Sequence, residues 1–61
     1  MPLITVKALG KKTVEQKRGL VKDITEAVVR HFGAEPEVIT IDIVELERDN
    51  LAVAGKLFAD Q

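Results

Sequence analysis

Near the start of the chain, apolar and polar positions alternate one for one. Ile4, Val6 and Ala8 fall on one side of an extended backbone, and the polar residues between them fall on the other. A period of two is typical of a strand with one covered face. We therefore predict a strand over residues 3–9.

A helical pattern follows. Thr13, with Gln16 three residues later, matches the capping box that starts many helices, and Gly33 matches the left-handed residue that ends them. We predict a helix from about Val14 to about Phe32, which Pro36 prevents from continuing. Its apolar stripe comprises Leu20, Val21, Ile24, Ala27, Val28 and Phe32.

A second alternation, with three isoleucines on one face, marks residues 38–44 and predicts a second strand. The polar segment 45–49 is predicted to form a turn, residues 50–55 a short hairpin and residues 56–61 a tail. The order strand, helix, strand and hairpin indicates the α/β class.

A crossover of about 30 residues that contains one helix requires parallel strands, joined with right-handed chirality. One helix leaves the second face of the sheet uncovered, and a two-stranded sheet is marginal by itself. We therefore expect a single domain over residues 1–61, and pairs of such units that form a four-stranded sheet.

The amino-acid composition excludes several kinds of stabilising and catalytic site. The 61 residues include no cysteine, no serine and one histidine, His31. Disulfides, zinc sites built from cysteine or several histidines, and covalent catalysis by serine or cysteine are therefore excluded. A chain this small usually needs a further stabiliser, and self-association is the one left.

The net charge is −1, and aromatic residues make up 3% of the chain. The chain therefore has neither the basic balance nor the stacking platform that nucleic acid requires. No apolar run is long enough to span a membrane, and the chain opens without the basic region of a signal peptide. We expect no nucleic-acid or membrane partner and a cytoplasmic location.

Pro2 is the candidate catalytic residue. An initiator methionine is normally removed before a residue as small as proline, and the chain then begins with a secondary amine. Burial and nearby cations lower the pKa of such an amine, so that it accepts a proton near neutrality. The alternative is that Pro2 only starts an edge strand.

The joint order of five segments resembles the 4-oxalocrotonate tautomerase family over essentially the whole chain. They are PLI at 2–4, TVEQK at 13–17, LVKDITEA at 20–27, ITIDIVE at 39–45 and NLAVAGKL at 50–57. The resemblance implies a β-α-β protomer, dimers with a four-stranded sheet, and commonly a trimer of dimers. It also implies that Pro2 is the general base of a cofactor-independent keto–enol tautomerase, with a 2-hydroxydienoate or an enolpyruvate-like acid as the substrate.

By the same resemblance, substrate binding falls to Lys12, Thr40 and Leu51, where the best-known members have two arginines and an aromatic residue. Lys12 either binds a substrate carboxylate or is a solvated loop charge. Thr40 either hydrogen-bonds the substrate or fills a strand face, and Leu51 is a pocket wall, an interface residue or both. Because lysine lacks the fork of arginine, we expect a preference for a monocarboxylate or a less polar enol.

Arg48 either replaces the missing strand arginine, with its loop folded over the site, or forms an ion pair with an acidic neighbour. These neighbours are Glu45, Glu47 and Asp49. Two other functions stay open: a hydratase or dehalogenase of the same superfamily with a cationic Pro2, and a non-catalytic assembly module.

Overall fold

A computed structural model describes all 61 residues and shows a β-α-β unit followed by a small hairpin. Strand β1 spans Leu3–Leu9, helix α1 spans Val14–Phe32 and strand β2 spans Thr40–Leu46. β1 and β2 are hydrogen-bonded to each other in parallel. The predicted class, the parallel pair and the single helix are confirmed.

One face of the two-stranded sheet lies under the helix. In β1, Val6 and Ala8 are half-buried and alternate with exposed side chains. In β2, Ile41 and Ile43 are half-buried as well. Leu20 of α1 shares a cavity with Val6, Ala8 and Ile43. The apolar alternation therefore identifies the face of the sheet that the helix covers.

Both ends of α1 lie where the capping residues predict them. The Gln16 backbone N–H donates to the Thr13 hydroxyl at 3.1 Å, and the Thr13 N–H donates to the Gln16 side-chain oxygen at 2.9 Å. Gly33 has φ 67° and its N–H donates to the Val29 carbonyl. These local bonds satisfy backbone groups that a helix end otherwise leaves unpaired.

The second strand begins and ends two residues later than predicted. Pro36–Val38 forms one turn of 3-10 helix, in which the Val38 N–H donates to the Glu35 carbonyl at 3.1 Å. Proline favours the start of such a turn because its ring sets φ. At the other end, β2 continues through Glu45 and Leu46, which were predicted to belong to a turn.

The carboxyl-terminal segment is more ordered than the predicted tail. A 3-10 turn at Arg48–Asn50 leads into an antiparallel hairpin of β3, Ala52–Val53, and β4, Lys56–Leu57. A further 3-10 turn spans Phe58–Asp60. The predicted hairpin is confirmed, but it extends past residue 55. The prediction of a tail from residue 56 is wrong, because residues 56 and 57 pair with β3.

The protomer has an open shape. None of its residues is fully buried, and its accessible area is 4796 Å², against about 3900 Å² for a compact protein of this mass. The radius of gyration is 14.9 Å, against about 10.5 Å for a compact chain of this length. Leu3 and Phe32 are each 73% exposed. Such exposed apolar side chains favour self-association.

No helix combines the length and the apolar character that a membrane crossing requires.

Candidate active site

Pro2 and Thr40 lie side by side at the amino ends of the two parallel strands. The Thr40 N–H donates to the Pro2 carbonyl oxygen at 3.1 Å, and Thr40 is opposite Leu3 in the sheet. Pro2 is half-buried and Thr40 is exposed. The backbone hydrogen bonds between β1 and β2 therefore hold Pro2, the candidate base, next to Thr40, the candidate hydrogen-bonding residue.

A cavity of about 250 Å³ lies between the first turns of α1 and the covered face of the sheet. Its apolar lining comes from Val6, Ala8, Leu20 and Ile43. Its polar lining comes from Lys12, Gln16 and Lys17. An apolar floor with cations beside it suits a small organic anion. Pockets that bind small molecules combine apolar walls with a few polar groups that fix the orientation of the ligand.

Lys12 is the cation of this cavity that has no acidic partner. Its ammonium Nζ donates to the Leu9 carbonyl oxygen at 3.2 Å, and it forms no ion pair. The loop that carries it begins at Gly10, whose φ of 85° favours glycine. The Gly10 N–H donates to the Leu46 carbonyl at 2.8 Å, which ties this loop to the end of β2.

Glu45 faces the helix and contacts both lysines of the cavity. Its Oε1 accepts from Lys17 Nζ at 2.8 Å, and its Oε2 accepts from the Lys12 backbone N–H at 2.7 Å. The hydrogen bond from Lys17, followed by that from Lys12, lowers the pKa of the Glu45 carboxyl. The sequence predicted a turn at this residue. The alternation of Ile41 and Ile43, continued by two positions, is the signal that identifies it.

Arg48 does not form the ion pair that was one of its two predicted roles. Its guanidinium Nη2 donates to the Phe58 carbonyl oxygen at 2.6 Å, and none of its acidic neighbours pairs with it. The Leu51 carbonyl accepts from the Phe58 N–H at 2.8 Å, and Leu51 is half-buried. Both residues thus hold the last turn against the segment that follows β2.

One protomer does not bring all the predicted site residues together. Pro2 and Thr40 lie at the amino ends of the strands, whereas Lys12 follows the carboxyl end of β1. Arg48 and Leu51 follow the carboxyl end of β2. The seven residues of β1 separate the two ends by about 20 Å.

No three acidic or histidine side chains stand close enough together to hold a metal ion.

A family model described as tautomerase enzyme matches residues 2–61. The chain belongs to the tautomerase family. It is 50% identical over 60 residues to a 2-hydroxymuconate tautomerase of Bacillus subtilis, with 98% of this chain and 97% of that protein covered. The family and this relative identify an isomerase that catalyses a tautomerisation.

Solved structures of tautomerase relatives have the same fold. YwhB, a homologue of 4-oxalocrotonate tautomerase, matches with a TM-score of 0.88 and 48% identity over 98% of each chain. A 4-oxalocrotonate tautomerase isozyme of Methylibium petroleiphilum matches with a TM-score of 0.84 and 44% identity, over 97% of this chain and 92% of its own. These likenesses confirm the predicted resemblance to the 4-oxalocrotonate tautomerase family.

Proposed function

We propose that this tautomerase converts a small 2-hydroxydienoate or enolpyruvate-like acid to its keto form, with the amino-terminal nitrogen of Pro2 as the base. The observation that carries the proposal is the cavity beside Lys12. It has apolar walls and a free ammonium group, but no histidine or unpaired carboxylate lines it. A catalytic base must therefore come from elsewhere, and Pro2 is the candidate.

In the proposed reaction, the neutral amine of Pro2 takes the hydroxyl proton of the enol. The electron pair of the broken O–H bond forms the new C=O bond. The protonated Pro2 nitrogen then returns the proton to a carbon of the conjugated system. The proton that leaves oxygen therefore arrives at carbon, and no cofactor is consumed. The reaction needs Met1 to be removed, because an amide nitrogen has no available lone pair.

We further propose that the site forms between two protomers. Pro2 and Lys12 lie beyond opposite ends of β1, and this strand is about 20 Å long, which is too far for one small substrate to bridge. Antiparallel pairing of β1 with a second β1 brings the partner's Pro2 to the end that carries Lys12. This pairing produces a four-stranded sheet, and a trimer of such dimers is the expected assembly.

In this site, Lys12 holds the substrate carboxylate and Leu51 contributes an apolar wall. Thr40, beside Pro2 in the ladder, offers one neutral hydrogen bond. Arg48 uses one of its N–H donors on the Phe58 carbonyl, and a guanidinium has five such donors. Arg48 is therefore able to hold the last turn and also to help Lys12 hold the same substrate carboxylate.

Blocking the nitrogen of Pro2 tests the proposal. Intact-mass measurement first establishes that Met1 is absent from the purified protein. A variant with one alanine inserted between Met1 and Pro2 then converts the base into an amide, and we expect turnover of phenylenolpyruvate to fall by about a hundredfold or more. The matched control carries one alanine after Gln61. Equal turnover by the native and blocked proteins contradicts the proposal.

The pH–rate profile separates this reaction from a hydratase or dehalogenase reaction with a cationic proline. For a neutral base, kcat/KM rises as the pH passes the pKa of the amine and then levels off. For a cationic Pro2, activity declines over the same range. A non-catalytic module shows no turnover that depends on Pro2.

A further inference from the structure

The carboxylate of Glu45 stands between two lysines that line the same cavity. One oxygen accepts from the Lys17 ammonium at 2.8 Å, and the other accepts from the Lys12 backbone N–H at 2.7 Å. The side chains of Lys17 and Glu45 are 31% and 25% exposed, so both are partly withdrawn from water. One carboxylate oxygen of Glu45 thus neutralises the Lys17 ammonium, and the other holds the loop that carries Lys12.

Among the residues that line the cavity, this arrangement leaves one positive charge free. Lys17 is engaged with Glu45, whereas the Lys12 ammonium contacts only a backbone carbonyl oxygen. Gln16, the remaining polar residue of the lining, is neutral. Lys11 is close enough to act on Glu45 through space, but it does not line the cavity.

We propose that Glu45 determines how many carboxylates the cavity accepts. By holding Lys17, it leaves the Lys12 ammonium as the cation available to a ligand, and the cavity prefers a monoanion to a dianion. Without the charge of Glu45, Lys17 faces the same cavity and offers a second carboxylate a partner. Glu45 acts through Lys17 and does not touch the substrate. The inference rests on the proposed function in taking the ligand to be an enol acid.

Glu45→Gln tests this role directly. The glutamine amide keeps an oxygen that accepts the Lys12 N–H, so the loop is held while the negative charge is lost. The substrates are phenylenolpyruvate, with one carboxylate, and 2-hydroxymuconate, with two. We expect the ratio of kcat/KM for the dianion to that for the monoanion to rise about fivefold, because a partly exposed ion pair contributes modestly.

The double variant Glu45→Gln with Lys17→Met is the matched control. It removes the cation that the first change releases, so the ratio is expected to return to the native value. A ratio that does not change in Glu45→Gln overturns the proposal, and so does a shift that persists in the double variant.

A binding measurement on the native protein needs no variant and no turnover. Calorimetry compares muconate with its monomethyl ester, which differ by one negative charge. We expect dissociation constants within about twofold, because the second carboxylate lacks a cationic partner. Muconate that binds ten times more tightly overturns the proposal. Since this comparison does not involve proton transfer, it separates a failure of this inference from a failure of the role of Pro2.

Discussion

The two-residue turn of the C-terminal hairpin contains an alanine in a conformation that favours glycine. Ala54 has φ 54° and Gly55 has φ 79°, as a type I′ turn requires at both central positions. The left-handed region costs a residue with a Cβ about 1–2 kcal/mol. We therefore expect Ala54→Gly to relieve strain in the folded state.

The net gain is smaller than the strain, because glycine also makes the unfolded chain more flexible, at about 0.5–1 kcal/mol. The midpoints of the two ranges differ by about 0.75 kcal/mol, which is the expected net stabilisation. For a domain of this size, each 1 kcal/mol shifts Tm by about 4–8 °C. Ala54→Gly is therefore expected to raise Tm by about 3–6 °C.

Ala52→Gly is the matched control, because it makes the same chemical change two residues away. Ala52 is exposed and lies in the extended strand β3, so glycine relieves no strain there and only adds flexibility to the unfolded chain. Its Tm is expected to fall by about 2–8 °C. Thermal unfolding is followed by circular dichroism at one fixed protomer concentration, since association shifts Tm. Shifts of the same sign in both variants refute the reasoning.

Three further predictions concern the helix and Glu45. Thr13→Ala removes the N-cap acceptor of Gln16 and should cost about 1 kcal/mol in urea unfolding, whereas Thr13→Ser should restore most of it; an unchanged midpoint for Thr13→Ala contradicts the role of the cap. Gly19→Ala meets no atom within 4 Å and should stabilise α1 by up to about 1 kcal/mol; a lower Tm instead points to close packing between protomers at Gly19. The folded-state pKa of Glu45 is lowered, so its contribution to stability is full above the ordinary carboxyl range and is lost as the pH falls through the folded pKa. Glu45→Gln should therefore flatten the acid side of the pH–stability curve, and a curve of native steepness would exclude this contribution.

The helix and its limits were predictable from the sequence because the interactions that set them are local. Thr13 and Gln16 cap each other across three residues, and Gly33 closes onto Val29. The alternation of apolar residues likewise identified the covered face of each strand, because side chains of a strand point alternately to its two sides. These features depend on neighbours within one turn or one pleat.

The candidate site depended instead on contacts between distant parts of the chain. Glu45 meets Lys17 across 28 positions and the Lys12 N–H across 33, and no local pattern specifies such pairs. The same holds for Arg48, which bonds a carbonyl ten positions away rather than a neighbouring carboxylate. The turn predicted for residues 45–49 starts later, at Arg48–Asn50, for the same reason, since pairing with β1 extends β2 through Leu46.

The order of elements, the covered faces and the candidate residues, Pro2 and Lys12 among them, could be predicted from the residues in order along the chain. How these residues relate in space follows from the pairing of the strands. The parallel pairing of β1 with β2 places Thr40 beside Pro2 and Glu45 beside the loop of Lys12. It also puts Pro2 and Lys12 at opposite ends of a rigid strand, because a strand extends its residues along a line instead of folding its ends together.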